Sequence, residues 1–190
     1  MQHIDDDFSG LELAEHWRPQ TAVKVENGVV DFDVPQWGFH LVTKADFTDF
    51  VMKVDVCDRS GNGIGLIARW QSPVEYYLVQ IHSDDQANQS PHAEFCTFHK
   101  ANADHYGSAD RQSMSFANGT PSFVCETWYR VQLDAAGPRF TLSVGEISGP
   151  LHPCATWTDS KQRFRSGAVG LFQAEGSHGE YRNFELRSAT

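Results

Sequence analysis

Along most of this chain hydrophobic and polar residues alternate one by one, the period of a strand with one buried face. The longest alternation, Phe47 to Cys57, sets Phe50, Met52, Val54 and Val56 on one face and Asp49, Lys53 and Asp55 on the other. Thr127 to Leu133 repeats it, with Tyr129, Val131 and Leu133 against Trp128, Arg130 and Gln132. Gly137-Pro138 then turns the chain into Phe140, Leu142 and Val144. Asn27-Gly28 between Val23–Val25 and Val29–Val34 predicts a tight hairpin. Phe39 to Thr43, Gly167 to Phe172 and Tyr181 to Arg187 read as further strands, and no stretch keeps a helical period. About a dozen short strands with turns between them predict one all-β domain over residues 1–190, an antiparallel β-sandwich.

The segment Gly61 to Ile81 predicts two strands joined at Ser72-Pro73. Strict alternation places Gly63, Gly65, Ile67 and Arg69 on an open face, with Ile64, Leu66, Ala68 and Trp70 buried. In the second strand Tyr77, Val79 and Ile81 form the packed row, while Tyr76, Gln80 and His82 alternate with them, interrupted by Leu78. Ser83 to Pro91 is a polar loop, Ala93 to His99 a return strand, and Lys100 to Glu126 a long excursion with one short strand near Met114 to Phe116. Gly145 to Lys161 reads as a second excursion.

Composition narrows the partners. With 15 Lys and Arg against 25 Asp and Glu, the formal charge is −10, which argues against nucleic acid, because phosphate binding is driven by Lys and Arg. No apolar run reaches the roughly 20 residues that span a bilayer, and residues 1–10 lack the basic and apolar regions of a signal peptide. That leaves two compartments open: cytoplasmic as the chain stands, or extracellular or periplasmic if a signal was removed. The four cysteines, Cys57, Cys96, Cys125 and Cys154, form no C-x-x-C pair; Cys96 and Cys125 either staple the segment between them or pack as reduced thiols.

The order of these strands and their local motifs resembles the concanavalin A-like jelly rolls, and within them the 3-keto-disaccharide hydrolase domains and laminin-G-like modules. Asp7-Phe8-Ser9-Gly10 with Trp17 is similar to the family's opening, and Glu26-Asn27-Gly28-Val29-Val30 to its next strand. Leu41-Val42-Thr43-Lys44 with Phe47-Thr48-Asp49-Phe50, Gly65-Leu66-Ile67-Ala68-Arg69 and Tyr77-Leu78-Val79-Gln80-Ile81 follow in order. Trp128-Tyr129-Arg130-Val131, Gly167-Ala168-Val169-Gly170-Leu171 and Tyr181-Arg182-Asn183-Phe184 complete the series, so the resemblance covers nearly the whole chain. It implies a jelly roll associated with sugars. Hydrolase-like members often carry a glutamate where this chain has Leu78, so a carboxylate able to act as acid or base is missing from the expected strand.

The candidate ligand-binding residues are Arg69, Gln80, His82, Lys53 and Asp55, expected together on one curved sheet face, and Trp37, either a stacking platform for a pyranose or a core residue. For Arg69 the alternative is a structural ion pair, with Asp55 as a partner. Asp31 and Asp33, the D-x-D on a predicted strand, read as a solvated edge, and no catalytic dyad is nominated. His92, His99 and His105 with Asp104 fit no zinc signature. Asp6 and Asp7 are candidate ligands for a structural Ca2+, as the resemblance implies for the region near the joined termini. Three functions follow as expectations: a carbohydrate-binding or lectin-like module, a glycoside-acting hydrolase of the 3-keto-disaccharide type, or a non-enzymatic subunit meeting a protein partner through the 100–126 loop.

Overall fold

The computed structural model describes residues 2–9, 13, 15–19, 23–33, 39–60, 63–84, 90–99, 110–174 and 176–189. Among them the regular elements are all strands, fifteen in chain order. β1 (His3–Asp6), β3 (Lys24–Glu26), β4 (Val29–Asp33), β6 (Phe50–Asp58), β11 (Trp128–Ala136), β12 (Arg139–Glu146), β13 (His152–Thr158) and β15 (His178–Ser188) form the first sheet. β2 (Trp17–Pro19), β5 (Phe39–Phe47), β7 (Ile64–Ser72), β8 (Glu75–His82), β9 (His92–Phe98), β10 (Asp110–Ser115) and β14 (Gly167–Gln173) form the second. Every pairing between these strands is antiparallel, and the two sheets make a jelly-roll sandwich.

The inward rows are those the alternation predicts. Met52, Val54 and Val56 of β6, Val131 and Leu133 of β11, and Tyr77, Val79 and Ile81 of β8 share one buried cluster that runs from Ile4 to Leu186. Asn27 and Gly28 take φ of 54° and 75°, the left-handed pair that a two-residue hairpin between β3 and β4 requires. Tyr181 ties the layers together: from β15 its hydroxyl donates to the Phe172 carbonyl at 2.9 Å and accepts from the Gly65 amide at 3.1 Å. It is fully buried, which pushes its phenol pKa up and keeps it a neutral donor.

Three expectations change. β13 lies inside the segment read as a second excursion, and β1 and β2 lie where no strand is predicted. All three are short and carry little alternation of their own, so it is pairing with β12, β15 and β5 that makes them strands. The third change is at Arg69. Its φ is 53°, and the ladder between β7 and β8 shifts register between Ala68 and Ser72. The ladder between β14 and β7 slips at the same place, between Ala168 and Gly170. Such a bulge reverses the parity of everything after it. Trp70 therefore joins Ile67 and Tyr76 on the outer face, and Arg69 turns inward with its guanidinium 5.1 Å from the centroid of the Phe140 ring. Gly167 permits this, since a Cβ there would stand 2.6 Å from the Arg69 carbonyl carbon.

Candidate functional site

The outer face of the second sheet divides into an apolar floor and a polar groove. The floor is Val42, Ile67, Tyr76, Leu78, Cys96, Phe98, Ala168 and Phe172, all buried, with Tyr76 stacked on Phe98 at 4.6 Å. The groove, about 540 Å3, is lined by Gln80, His82, Ser90, His92, Glu94, Arg111, Ser113 and Ser115. Register explains the gathering. Gln80 pairs with Glu94 and His82 with His92 across β8 and β9, while Glu94 pairs with Ser113 and His92 with Ser115 across β9 and β10. Adjacent strands lie about 4.8 Å apart, so six polar side chains from three strands stand on one small grid.

Hydrogen bonds from beneath hold this grid. Asp58, wholly buried at the end of β6, accepts from the Gly63 amide at 3.0 Å and from the Ser83 hydroxyl at 2.8 Å. It thus pins the start of β7 and the end of β8 beside His82. Gln173, also buried, donates to the Gly63 carbonyl at 3.0 Å. Gly63 itself has φ 94°, and a Cβ there would lie 3.0 Å from His82 Nδ1 and 3.2 Å from Gln80 Nε2. Only glycine lets both side chains lie where they do.

Within the groove the His82 and His92 rings stack in parallel, 4.5 Å apart with 5° between planes. Arg111 Nη1 is 3.2 Å from Glu94 Oε2, and His82 Nε2 is 3.8 Å from the same oxygen. His92 Nδ1 is 3.0 Å from the Ser90 carbonyl oxygen and donates to it. Burial holds the His82 pKa below its ordinary value, and His92 pushes it the same way against the pull of Glu94. His82 is accordingly a neutral imidazole at neutral pH.

The expected site residues part company. Gln80 and His82 line the groove. Arg69 does not: it is 2% exposed, donates to the Thr48 carbonyl (2.8 Å) and the Phe164 carbonyl (3.1 Å), and pairs with Asp49 at 3.3 Å. Its ion-pair partner is Asp49 rather than Asp55, and with Thr48, Asp49, Pro138 and Phe164 it borders a separate cavity of about 230 Å3. Lys53 and Asp55 stand on the outer face of the first sheet, opposite the groove. There Asp55 binds Arg130 and takes the Asn183 amide at 2.7 Å, and Lys53 lies 4.0 Å from Glu185. Trp37 falls outside the described residues, as do 100–109 of the 100–126 segment, in which 110–115 form β10. Asp31 lies 2.9 Å from His178 on the first sheet.

Asp6 and Asp7, the calcium candidates, accept hydrogen bonds from the chain around them. Asp6 takes the Phe8 amide at 2.8 Å on one oxygen and the Trp17 indole at 2.7 Å on the other, and Asp7 takes the Ser9 amide at 2.9 Å. Among the described residues, the His, Cys, Asp and Glu side chains that gather as a group of three, with ligand atoms within 4.8 Å of one another, are His82, His92 and Glu94. Of these, Glu94 and His92 escaped sequence reasoning as partners of Gln80. A strand starting at His92 on the β8 register would have found both. All four cysteines are free thiols, and burial pushes the Cys96 thiol up to about 12.

A two-sheet sandwich of this topology with a polar patch on one outer sheet defines a concanavalin-like jelly roll. Residues 5–187 match the model of the 3-keto-alpha-glucoside-1,2-lyase-like domain, and the chain belongs to that family. No protein with a curated description matches it in sequence. Among solved structures, the carbohydrate-binding module CBM66 from Bacillus subtilis is 15% identical with a TM-score of 0.67, covering 91% of this chain and 96% of its own. The exoplasmic domain of VIP36, in a form bound to Ca2+ and Man3GlcNAc, is 13% identical with a TM-score of 0.65, covering 92% and 84%. A putative glycosyl hydrolase from Parabacteroides distasonis is 11% identical with a TM-score of 0.59, covering 90% and 84%. At these identities the likeness is one of fold.

Proposed function

We propose that this chain recognises a glycoside in the groove over β8, β9 and β10. The observation that carries the reading is the convergence of Gln80, His82, Glu94, Arg111, Ser113 and Ser115 beside an apolar floor. Sugar rings present hydroxyls at their rims, and the groove offers directed donors and acceptors for them. The names of two similar structures, a carbohydrate-binding module and the exoplasmic/lumenal domain of VIP36 in a Man3GlcNAc-bound form, support the same ligand class. Calorimetry with a panel of mono- and disaccharides, including 3-keto forms, tests it. Binding that falls at least roughly tenfold in Gln80→Ala and is untouched in Lys53→Ala supports the groove; no heat with any sugar at millimolar concentration sinks it.

A second reading is catalytic, and Glu94 favours it. The carboxylate missing at Leu78 is supplied to the same face by the neighbouring strand, with Cys96 opposite Leu78 and Glu94 opposite Gln80. In a 1,2-elimination from a 3-ketoglycoside, a base removes the proton on C2, which the ketone acidifies. The C2–H electrons form the C1–C2 double bond, and the C1–O pair leaves with the aglycone oxygen, which takes a proton. His82, half-buried and neutral, His92 and Glu94 are groups on this face able to take the first proton. Release of aglycone from a 3-ketoglycoside, lost in Glu94→Gln and in His82→Gln, is the expected result; binding without any turnover would confine the chain to recognition.

A further inference from the structure

We propose that His82, His92 and Glu94 form a binding site for one divalent transition-metal ion, of the Zn2+, Co2+ or Ni2+ class. Their ligand atoms, one from each side chain, all lie within 4.8 Å of one another. Metal–ligand bonds to imidazole and carboxylate run about 2.0–2.2 Å. The two imidazoles, stacked in parallel in the metal-free arrangement, turn out of the stack about their Cβ–Cγ bonds to aim their in-plane lone pairs at one ion beside Glu94. Two further features make this a site rather than a chance grouping. His92 donates from Nδ1 to the Ser90 carbonyl, which fixes its tautomer and leaves the Nε2 lone pair for a metal, the outer-sphere arrangement usual for ligating histidines. His82 Nε2 is buried with no hydrogen-bond partner among the described residues, since Glu94 Oε2 at 3.8 Å is beyond reach.

The donor set decides the ion. Two imidazoles and one carboxylate suit borderline transition metals, whereas Ca2+ and Mg2+ prefer oxygens. Three protein ligands leave positions open, and these face the groove. Arg111 is the competitor, since it holds Glu94 Oε2 in the metal-free arrangement. Its side chain is 34% exposed and can swing to water, freeing the oxygen for an ion.

The inference stands whether or not the groove takes a sugar, because it is read with metal alone. The chelator-treated protein is titrated with ZnCl2 by calorimetry, and separately with CoCl2 while visible absorption is followed. One ion per chain is expected, with affinity falling by roughly 100-fold or more in His82→Gln and in His92→Gln, and unchanged in His152→Gln on β13. Metal-free melting curves show whether each variant is folded. Should a histidine variant not fold, the Co2+ spectrum of the unaltered chain decides: ligand-field bands without thiolate charge transfer support the site. Thiolate bands, no binding at 1 mM Zn2+ (roughly the limit of specific affinity), or full affinity in both folded histidine variants overturns it.

Discussion

On the outer face of the first sheet, Asp55 is wholly buried and every neighbour answers it: Arg130, the Asn183 amide, and Arg182 at 3.7 Å. Arg182 in turn stacks over Trp128 at 4.1 Å. On the outer face of the second sheet, Glu94 shares one oxygen with a half-exposed arginine, two histidines lie ring on ring, and one ring nitrogen has no hydrogen-bond partner. The first network is closed around one buried carboxylate and holds the sheet, although Arg182 Nε, 3.7 Å from Asp55, makes no hydrogen bond among the described residues. The second leaves donor and acceptor groups lining a groove, which is what a ligand needs.

Arg69 belongs with the closed kind, and it gives the largest test. Arg69→Ala removes the donors to the partly exposed Thr48 and Phe164 carbonyls and leaves a cavity beside Phe140. A loss of about 2–4 kcal/mol is expected in denaturant unfolding. An Arg69→Ala protein of unchanged stability that loses only ligand binding would return Arg69 to the site. Tyr181→Phe removes the hydroxyl that bridges the sheets and should cost about 1–3 kcal/mol, with the groove residues kept in place.

Glu94→Gln should separate the faces most cleanly: ligand or metal binding is lost while stability changes by less than about 1 kcal/mol. If Asp55→Asn also lost ligand, the division of the faces would fail. Acid titration probes His82. Its folded pKa lies below its ordinary value of 6.5, so between the two the unfolded chain binds the extra proton. His82 thus contributes stability above pH 6.5 that is lost as pH falls from 6.5 through the lower folded value. His92, Glu94, Asp58 and Arg111 are the charged or titratable groups acting on it. His82→Asn should flatten that part of the pH–stability curve, and an unchanged slope would show that the ring is not desolvated as described. The smallest effect is expected from Lys53→Ala, within about 0.5 kcal/mol and without change in binding.

Much of this was legible because a strand's alternation survives in one dimension. The inward faces of β6, β8, β11 and β12 could be read residue by residue, and so could the Asn27-Gly28 turn. Gln80 and His82 could be placed on an outer face for the same reason. Arg69 could not, because a single non-glycine residue at positive φ carries no sequence mark, yet it inverts the parity of its strand.

By itself, then, the sequence determined the sheet-forming segments, their buried sides and a jelly-roll order, all consequences of local periodicity and turn chemistry. The tertiary structure alone decided which polar residues meet. Lys53 and Asp55 lie in one sheet and Gln80 and His82 in the other, so equal alternation put them on opposite surfaces of the sandwich. The register of β8, β9 and β10 brought His92, Glu94 and Arg111 to Gln80 and His82 across loops whose length says nothing of pairing. Cross-strand contact depends on which residues stand opposite one another, and that is fixed by the packing of the whole sheet rather than by any one strand.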